Sequence, residues 1–356
     1  MKRTCLLFVA VAVSFLFFSC QSIRIIDIET YNPSAITFPQ EVKTVMIVNN
    51  SAQQPDAIGH RYLSDTKRDS VMIIPADSMA YYFCMSLGKA MVESPRFYDV
   101  RICDDTLRRD SLFYDIRPFT PNEAEYFCDD YGVDALITLD KLFFTTVFTE
   151  SIMKDFSVAD KTISVQISGE LRALWPGQKE VYAIPFVDSI YWNYERNFFY
   201  NDITGLFFEP DVRFAMLYLS DITGQKIQVN FIPYWSEDRR WYYSSITSEW
   251  RRGSAFAAAE KWAEAAKVWE PLYEKTEKLK LKARLASNIA LCNEMKGDFK
   301  KAIEYAELSY GFFKEYNDNN NPYTQIQSNY IDILKKRMES DIVLTKQLST
   351  PIYSSE

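Results

Sequence analysis

The chain has 356 residues, a formal net charge of −8 and an aromatic content of 15%, including 23 Tyr and 25 Phe. This length is enough for two domains with hydrophobic cores, and the aromatic content excludes a disordered stalk. The acidic balance argues against nucleic acid as a partner, because phosphate neutralisation requires a basic surface.

The first twenty residues predict an export signal. Lys2 and Arg3 precede an uncharged apolar run over residues 6–18, and a small residue, Ser19, follows that run. A basic start, a short apolar core and a small residue at the cleavage position are typical of a secretory signal, and the run is too short to span a bilayer stably. We therefore expect residues 1–19 to be removed as a signal peptide.

Cys20 directly follows Ser19, and this arrangement resembles the lipobox of bacterial lipoproteins. The resemblance implies that Cys20 is acylated with palmitate-like chains and becomes the first residue of a protein anchored in the bacterial cell envelope. Phe17 and Phe18 depart from the lipobox, where Leu and a small residue are usual; an ordinary secretion signal or an uncleaved anchor is the alternative. Because no acidic run follows Cys20, we expect the periplasmic face of the outer membrane.

The next part of the chain predicts an α/β domain with a mixed sheet over residues 41–245, after a tether over residues 20–40. β-branched and aromatic runs predict strands, and apolar residues four positions apart predict a helix. The first elements are a short strand at Ile23–Ile28 within the tether, a strand at Val42–Val48, a polar loop at Asn49–Ser70, a helix over Met79–Met91 that Asp77 caps, and a strand at Phe97–Ile102.

The clearest local signals mark the following helix. Thr120, Pro121 and Glu123 form a capping box with proline at the first helical position, and Gly132 has the place of a C-cap glycine. An apolar strand over Val133–Phe148 comes next. This order of helix, glycine stop and strand is typical of α/β domains.

An antiparallel pair of strands follows. Apolar and polar residues alternate over Ser164–Trp175, and the turn at Pro176–Gln178 leads into a second strand over Val181–Tyr191. A strand pair that is half exposed to water is antiparallel. A helix over residues 210–228 comes next, whereas the aromatic segment Phe231–Tyr243 gives no clear assignment.

This order of elements resembles the small α/β domain at the front of TolB and of CsgG-type envelope lipoproteins. The residues that carry the resemblance are the first strand at 43–49, the glycine and strand at 132–137, and the turn at 175–177. The resemblance implies a compact mixed-sheet domain and no particular activity.

From Trp250 onward the sequence predicts helical repeats. The composition changes to Ala, Lys, Glu and Trp, so we place the domain boundary between Tyr243 and Trp250 and the helical region at residues 246–350. Six positions recur 37 residues later: Gly253, Glu260, Trp262, Ala265, Val268 and Trp269 match Ala290, Gly297, Phe299, Ala302, Tyr305 and Ala306. The segment Lys296–Glu304 resembles the turn and second helix of a tetratricopeptide repeat, which implies two antiparallel helix pairs, followed by a capping helix from Pro322.

Tetratricopeptide proteins line a concave groove with the first helix of each pair. By this resemblance the groove residues are Trp250, Ser254, Arg284, Ser287, Leu291 and Glu294. Because Trp and Arg dominate binding hot spots, Trp250 and Arg284 are the expected anchors of a protein partner. The competing hypothesis is that Trp250 seals the joint between the two domains.

No catalytic or cofactor motif stands out, and we expect no cofactor. The only histidine, His60, lies in the predicted polar loop, and the segment after the first strand contains no glycine before Gly59, which argues against a nucleotide site. Acid/base pairs such as Asp140–Lys141 or Glu195–Asp202 are expected by chance among 48 acidic residues.

The cysteines do not indicate a metal site. Four follow Cys20, namely Cys84, Cys103, Cys128 and Cys292, without a CxxC pair. After export Cys84 and Cys128 are the best candidates for a disulfide. The alternative is that the thiols are free and buried as small apolar groups.

The whole layout is similar to a family of uncharacterised Bacteroidota lipoproteins. The sequence thus predicts a non-enzymatic, lipid-anchored envelope protein that binds a protein partner through its repeats, with the α/β domain as the base near the membrane. One alternative is a carbohydrate-binding lipoprotein, which a concave patch of exposed Trp and Tyr would favour. The other is an envelope hydrolase, which needs a cleft with two carboxylates of raised pKa.

Overall fold

The computed structural model describes residues 23–65, 68–105, 107–108, 112–153, 158–197, 211–317 and 322–348. The chain divides into two compact units. The α/β unit comprises the described residues of Pro33–Tyr234 with Lys346–Glu356, and the helical unit comprises the described residues of Met1–Asn32 with Trp235–Thr345. The predicted fold class is therefore confirmed: a mixed-sheet α/β domain is followed by consecutive helices.

The described residues form nine strands and eight α-helices. The strands are β1 (Ile23–Asn32), β2 (Thr44–Asn49), β3 (His60–Ser64), β4 (Ser70–Val71), β5 (Asp99–Ile102), β6 (Ala135–Met153), β7 (Val158–Leu174), β8 (Tyr182–Asn197) and β9 (Tyr234–Tyr243). The helices are α1 (Met79–Val92), α2 (Pro121–Tyr131), α3 (Val212–Ile227), α4 (Ser248–Ala258), α5 (Trp262–Lys275), α6 (Leu279–Met295), α7 (Phe299–Asn317) and α8 (Pro322–Leu348).

The sheet of the α/β unit is built around β2 and β6. β2 lies between β5 and the first half of β6 and is parallel to both, with Val45 opposite Val100 on one side and Ala135 on the other. The second half of β6 pairs in parallel with β3, and its other edge pairs along its length with β7. β7 and β8 form the predicted antiparallel pair.

Helices cover both faces of β2. Val45 and Ile47 pack in one core with α1 and α3, whereas Met46 and Val48 pack in a second core with α2. Alternate residues of a strand point to opposite faces, so a strand covered on both sides is apolar throughout. This explains why Val42–Val48 shows no alternation.

The strongest local predictions are confirmed. Thr120 accepts from the backbone N–H of Glu123 at 3.3 Å, and the Glu123 carboxylate accepts from the backbone N–H of Thr120 at 2.8 Å. Gly132 ends α2 in the left-handed conformation, with φ of 61°. These signals act over a few residues and form in the folded chain as the sequence predicts.

Two predictions in the α/β unit are wrong. The predicted loop at Asn49–Ser70 contains β3, because β6 extends to Met153 and supplies an edge with which His60–Ser64 can pair. Asp77 does not cap α1; the N-cap is Ser78, and the Asp77 carboxylate instead accepts from Arg213 Nη1 at 2.7 Å. Both outcomes depend on partners far away in sequence.

The helical unit contains the two predicted helix pairs, α4–α5 and α6–α7. Trp262 and Trp269, two of the recurring positions of the first pair, lie in its core. Gly253 allows the close approach of α4 and α5, since a Cβ at this position would lie 2.4 Å from Trp269 Nε1. Ala302 and Ala306 are fully buried at the equivalent crossing of the second pair.

The predicted tether and domain boundary differ from the observed units. β1 pairs with β9, and this two-stranded ribbon belongs to the helical unit, which begins again at Trp235. Thr30 Oγ1 donates to Asp238 Oδ2 at 3.0 Å, and Asp27 lies 3.5 Å from Arg239. Residue numbers increase along β1 while those of the partners decrease along β9, so the two strands are antiparallel.

The four described cysteines after Cys20 are free and buried. Cys84 of α1 and Cys128 of α2 cannot meet, because they lie in cores on opposite faces of the sheet. Burial raises the pKa of each of these two thiols to about 12. The buried-thiol alternative is therefore the one observed.

Within the described ranges, no helix combines the length and the apolar character that a membrane crossing requires.

The repeat predicts an asymmetry in backbone strain that can be measured. Glu260 and Gly297 occupy equivalent turns, with φ of 57° and 76°. Because the left-handed conformation strains a residue with a Cβ, Glu260→Gly should raise the free energy of unfolding by about 0.5–1 kcal/mol, and Gly297→Ala should lower it by about 1 kcal/mol.

Denaturant titrations followed by Trp fluorescence would measure both effects. Glu260→Ala is the matched control, since it removes the carboxylate but keeps the Cβ and should give no gain. Equal stability of Glu260→Gly and Glu260→Ala would contradict the strain at this turn.

Candidate functional site

The predicted groove residues come together but are not on the surface. Trp250 and Ser254 of α4 and four residues of α6 line one inner face of the helical unit, and each of the six is at most 9% exposed. The α6 members are Arg284, Ser287, Leu291 and Glu294. The expectation of an open groove is therefore corrected: β9 and α8 occupy it.

Tyr243, the last residue of β9, is held on this face by its backbone. The Trp250 indole Nε1 donates to the Tyr243 carbonyl at 2.6 Å. Asn288 Nδ2 donates to the same carbonyl at 2.8 Å, and Asn288 Oδ1 accepts from the Tyr243 N–H at 2.7 Å. The Asn288 amide thus makes the pair of backbone hydrogen bonds that a neighbouring strand would make with Tyr243. Trp250 is a structural residue of the helical unit.

Rings and a guanidinium surround the Tyr243 side chain. The Arg284 guanidinium carbon lies 5.4 Å from the centre of the Tyr243 ring and 5.9 Å from that of Tyr323 at the start of α8. The Phe313 ring centre lies 5.9 Å from that of Tyr243. Burial raises the pKa of Tyr243, so its hydroxyl stays protonated. Arg284, predicted as an exposed anchor, stacks inside the unit.

Glu294 forms a buried charged centre at the other end of this face. Its carboxylate accepts from Arg240 Nε of β9 at 3.0 Å, from the Tyr330 hydroxyl of α8 at 2.7 Å, and from Arg337 of α8. Burial is the larger cause and the neighbouring Glu294 carboxylate the second cause of a raised pKa of Tyr330, so the Tyr330 hydroxyl stays protonated and donates. The centre joins α6 to both elements that close the groove.

Asn288, Arg240, Tyr330 and Arg337 were not predicted as partners of the groove residues. Helical periodicity identifies the inner face of α6 but carries no information about what covers it. The sequence of β9 gives no signal either, because Tyr234 and Trp235 are followed by five consecutive polar residues and the alternation of exposure along the strand is not visible in the residue types.

A second candidate site lies in the α/β unit at the carboxyl end of β2. After β2 the chain passes through α1 on one face to β5, and then through α2 on the other face to β6. Because β5 and β6 lie on opposite sides of β2, the carboxyl end of β2 is a topological switch point, where α/β sheets bind ligands. Two cavities of about 330 Å³ and 450 Å³ open here, and Arg108 contributes to both. The N-terminal ends of α1 and α2 line the first and the second cavity, respectively.

A buried polar chain supports this end of the sheet. Arg108 Nε donates to Asn50 Oδ1 at 2.8 Å, and Asn50 Nδ2 donates to Asp140 Oδ1 at 2.6 Å. Arg172 Nε of β7 lies 3.0 Å from Asp140 Oδ2. Burial raises the pKa of Asp140, while the Asn50 bond and the Arg172 charge oppose that rise. Asp140 therefore positions Asn50 and Arg108.

The carboxylates that line the two cavities do not form a hydrolytic pair. The Arg213 bond lowers the pKa of Asp77, and the bond from the Thr120 backbone lowers the pKa of Glu123. A general acid requires a raised pKa instead. The side chains of Glu195 and Asp202, the other pair named from the sequence, lie outside the described residues, as does Cys20.

His60 is a buried structural residue of β3. Its Nδ1 lies 2.8 Å from Thr146 Oγ1, and burial lowers the pKa of its imidazole. A neutral ring bonded to a threonine on the neighbouring strand has the environment of a satisfied core histidine.

Comparisons with known families divide the chain where its composition changes. The model of a domain of unknown function (DUF8603) matches residues 42–243, which is more than half of the chain, and that of a second domain of unknown function (DUF6340) matches residues 251–336. The two matches meet in the interval predicted from the sequence, whereas the compact units divide before Trp235.

Comparisons with individual proteins add little. No curated protein matches the chain. A solved structure titled "Crystal structure of uncharacterized protein" aligns with 56% of this chain and 95% of its own, at 10% identity and a TM-score of 0.22, and so low a score carries no argument.

The charged centre gives a testable consequence for stability. Glu294→Gln should lower the free energy of unfolding by about 3–5 kcal/mol, because it leaves Arg240 and Arg337 without the buried carboxylate that neutralises them. Denaturant titration would measure the loss.

Glu307→Gln is the matched control. Glu307 lies on α7 in an exposed pair with Lys335 at 3.4 Å, and losing such a pair should cost no more than about 1 kcal/mol. Equal losses for the two variants would show that the Glu294 centre contributes nothing beyond a surface ion pair.

Proposed function

The chain belongs to the DUF8603 family, and we propose that it is a lipid-anchored, non-catalytic protein of the bacterial cell envelope that binds a protein partner. Acylated Cys20 would supply the anchor. The partner would bind not in the groove of the repeats but on an exposed aromatic face of the α/β unit. That face is the observation on which the proposal depends.

The face is formed by two helices that pack side by side. Arg213 at the start of α3 donates to Asp77 just before α1, and Ser86 further along α1 bonds to Asp221 further along α3. The helices therefore run in the same direction. A Cβ at Gly224 would lie 2.5 Å from the Phe83 carbonyl, so the backbones are in close contact.

This packing leaves large apolar side chains on the outside. The α1–α3 aromatic face consists of Tyr81, Tyr82 and Met85 of α1 and Tyr218 of α3, which are 40–48% exposed. The ring centre of Tyr218 lies 6.1 Å from that of Trp192 on β8. On α1 the ring centres of Tyr81 and Tyr82 lie 5.9 Å apart, and tyrosine and methionine are enriched at protein interfaces.

Partner binding by strand addition is less well supported. Among the described strands β8 pairs with β7 only, so it is an edge strand. It contains Pro185, which lacks an N–H, and Asp188, which points to the core side and accepts from Lys226 at 2.7 Å. Proline and inward-pointing charges are features that prevent strand addition. This favours the helical face over the sheet edge.

Crosslinking from single positions in intact cells tests the partner site. A photoreactive amino acid in place of Tyr82 should give a discrete protein adduct of higher mass, whereas the same group in place of Tyr98 should not. Tyr98 is the matched control, because it is a tyrosine of the same unit that lines neither cavity and is 83% exposed.

Equal labelling from both positions, or none from position 82, would overturn the site on the α1–α3 aromatic face. An adduct that contains glycan and no protein would support the carbohydrate-binding alternative instead.

The anchor has its own test. Intact-mass and peptide mass spectrometry of protein from the membrane fraction should find a mature chain that begins at acylated Cys20. Two or three acyl chains, each contributing on the order of 0.8 kcal/mol per buried CH₂, hold a protein stably where one chain does not. A chain that begins elsewhere, or carries an unmodified Cys20, would refute the anchor.

A further inference from the structure

We infer that the end of the helical unit at which β1 begins lies on the membrane surface and contacts lipid headgroups through Ile23, Ile25 and Ile246. The inference rests on the proposed acylation of Cys20. Four observations on the described residues lead to it: chain length, polarity along β1, the loop after β9 and local charge.

Chain length limits how far this end can be from the bilayer. Ile23, the first residue of β1, is the third residue after Cys20. Three residues span at most about 11 Å when fully extended. An acylated Cys20 sits at the level of the headgroups, so the start of β1 must lie within that distance of them.

The outer face of β1 is apolar only near the anchor. Ile23, Ile25, Asp27 and Glu29 share one face and are all exposed, and from Ile25 to Thr30 the burial alternates along the strand. Ile25 is 71% exposed. Single exposed isoleucines are common on protein surfaces, but here both precede the charged positions and lie at the end nearer Cys20.

The loop after β9 adds a third isoleucine at the same end. The antiparallel register brings Arg24 close to Tyr242, near the end of β9. Ile246 follows in the next loop and is 64% exposed. The start of β1 therefore lies at the end of the ribbon from which the loop into α4 departs.

The charge of these two segments is opposite to that of the chain. Residues 23–25 and 244–252 contain three arginines, Arg24, Arg251 and Arg252, and one acid, Glu249, in a chain of net charge −8. Arg251 and Arg252 are exposed. Exposed isoleucines next to arginines are typical of surfaces that lie in the headgroup region, where apolar groups insert and cations attract anionic lipids.

The unit that this placement puts next to the membrane differs from the one that the sequence predicted. The sequence predicted the α/β domain as the base. Because β1 belongs to the helical unit, an anchor at Cys20 holds the helical unit at the bilayer.

Site-specific fluorescence on the full-length acylated protein tests this placement. Ile25→Cys or Glu29→Cys would each be labelled with an environment-sensitive dye, which the buried native thiols do not take up under native conditions. The protein is then reconstituted into vesicles of phosphatidylcholine with phosphatidylglycerol. Glu29 is the control, because it lies on the same face about 13 Å further along the strand.

The dye at position 25 should shift its emission to the blue on reconstitution and be quenched by headgroup nitroxides, and the dye at position 29 should do neither. The double variant Arg251→Glu, Arg252→Glu should weaken the quenching at position 25. Equal solvent exposure at positions 25 and 29 in protein that is acylated and floats with the vesicles would overturn the placement but not the anchor. An unmodified Cys20 would overturn both.

Discussion

The inner face of a short helical array must be covered, and this requirement determines the organisation of the helical unit. Two helix pairs are fewer than the three or more repeats that bury a continuous core by stacking. Here β9 and α8 supply the missing cover. Trp250 and Asn288 bond the N–H and carbonyl of Tyr243, which would otherwise be buried without partners at a substantial cost. The groove that binds partners in tetratricopeptide proteins is filled in this chain by its own strand β9 and helix α8.

The charged centre at Glu294 makes this cover specific. Burying a carboxylate costs several kcal/mol in lost hydration, and an ion pair regains that free energy only with good geometry and further hydrogen bonds. Glu294 obtains two arginines and one tyrosine, of which Arg240 comes from β9 and the other two from α8. An apolar contact could stabilise the unit equally well, but it would not select one strand and one helix in one register.

Closure of the groove also bears on where the chain is anchored and where a partner binds. The β1–β9 ribbon that fills the inner face begins three residues after Cys20, so the same strand that completes the helical core would carry the anchor. Partner binding is then left to outer surfaces, such as the α1–α3 aromatic face. The polar chain from Arg108 to Asp140 has a comparable supporting role at the switch point of the sheet.

The sequence by itself determined most features that depend on nearby residues, with the N-cap of α1 as the exception. The Thr120 capping box, the stop at Gly132 and the β7–β8 hairpin follow from spacings of a few residues, and the two repeats follow from positions that recur after 37 residues. Only the tertiary structure decided which distant segments meet: His60–Ser64 became a strand because β6 extends far enough to pair with it, and β9 lies in the groove because Asn288, Trp250 and Glu294 bind it there. The groove residues were assigned to the correct face, but periodicity records only that a face is inward and carries no information about the segment that covers it.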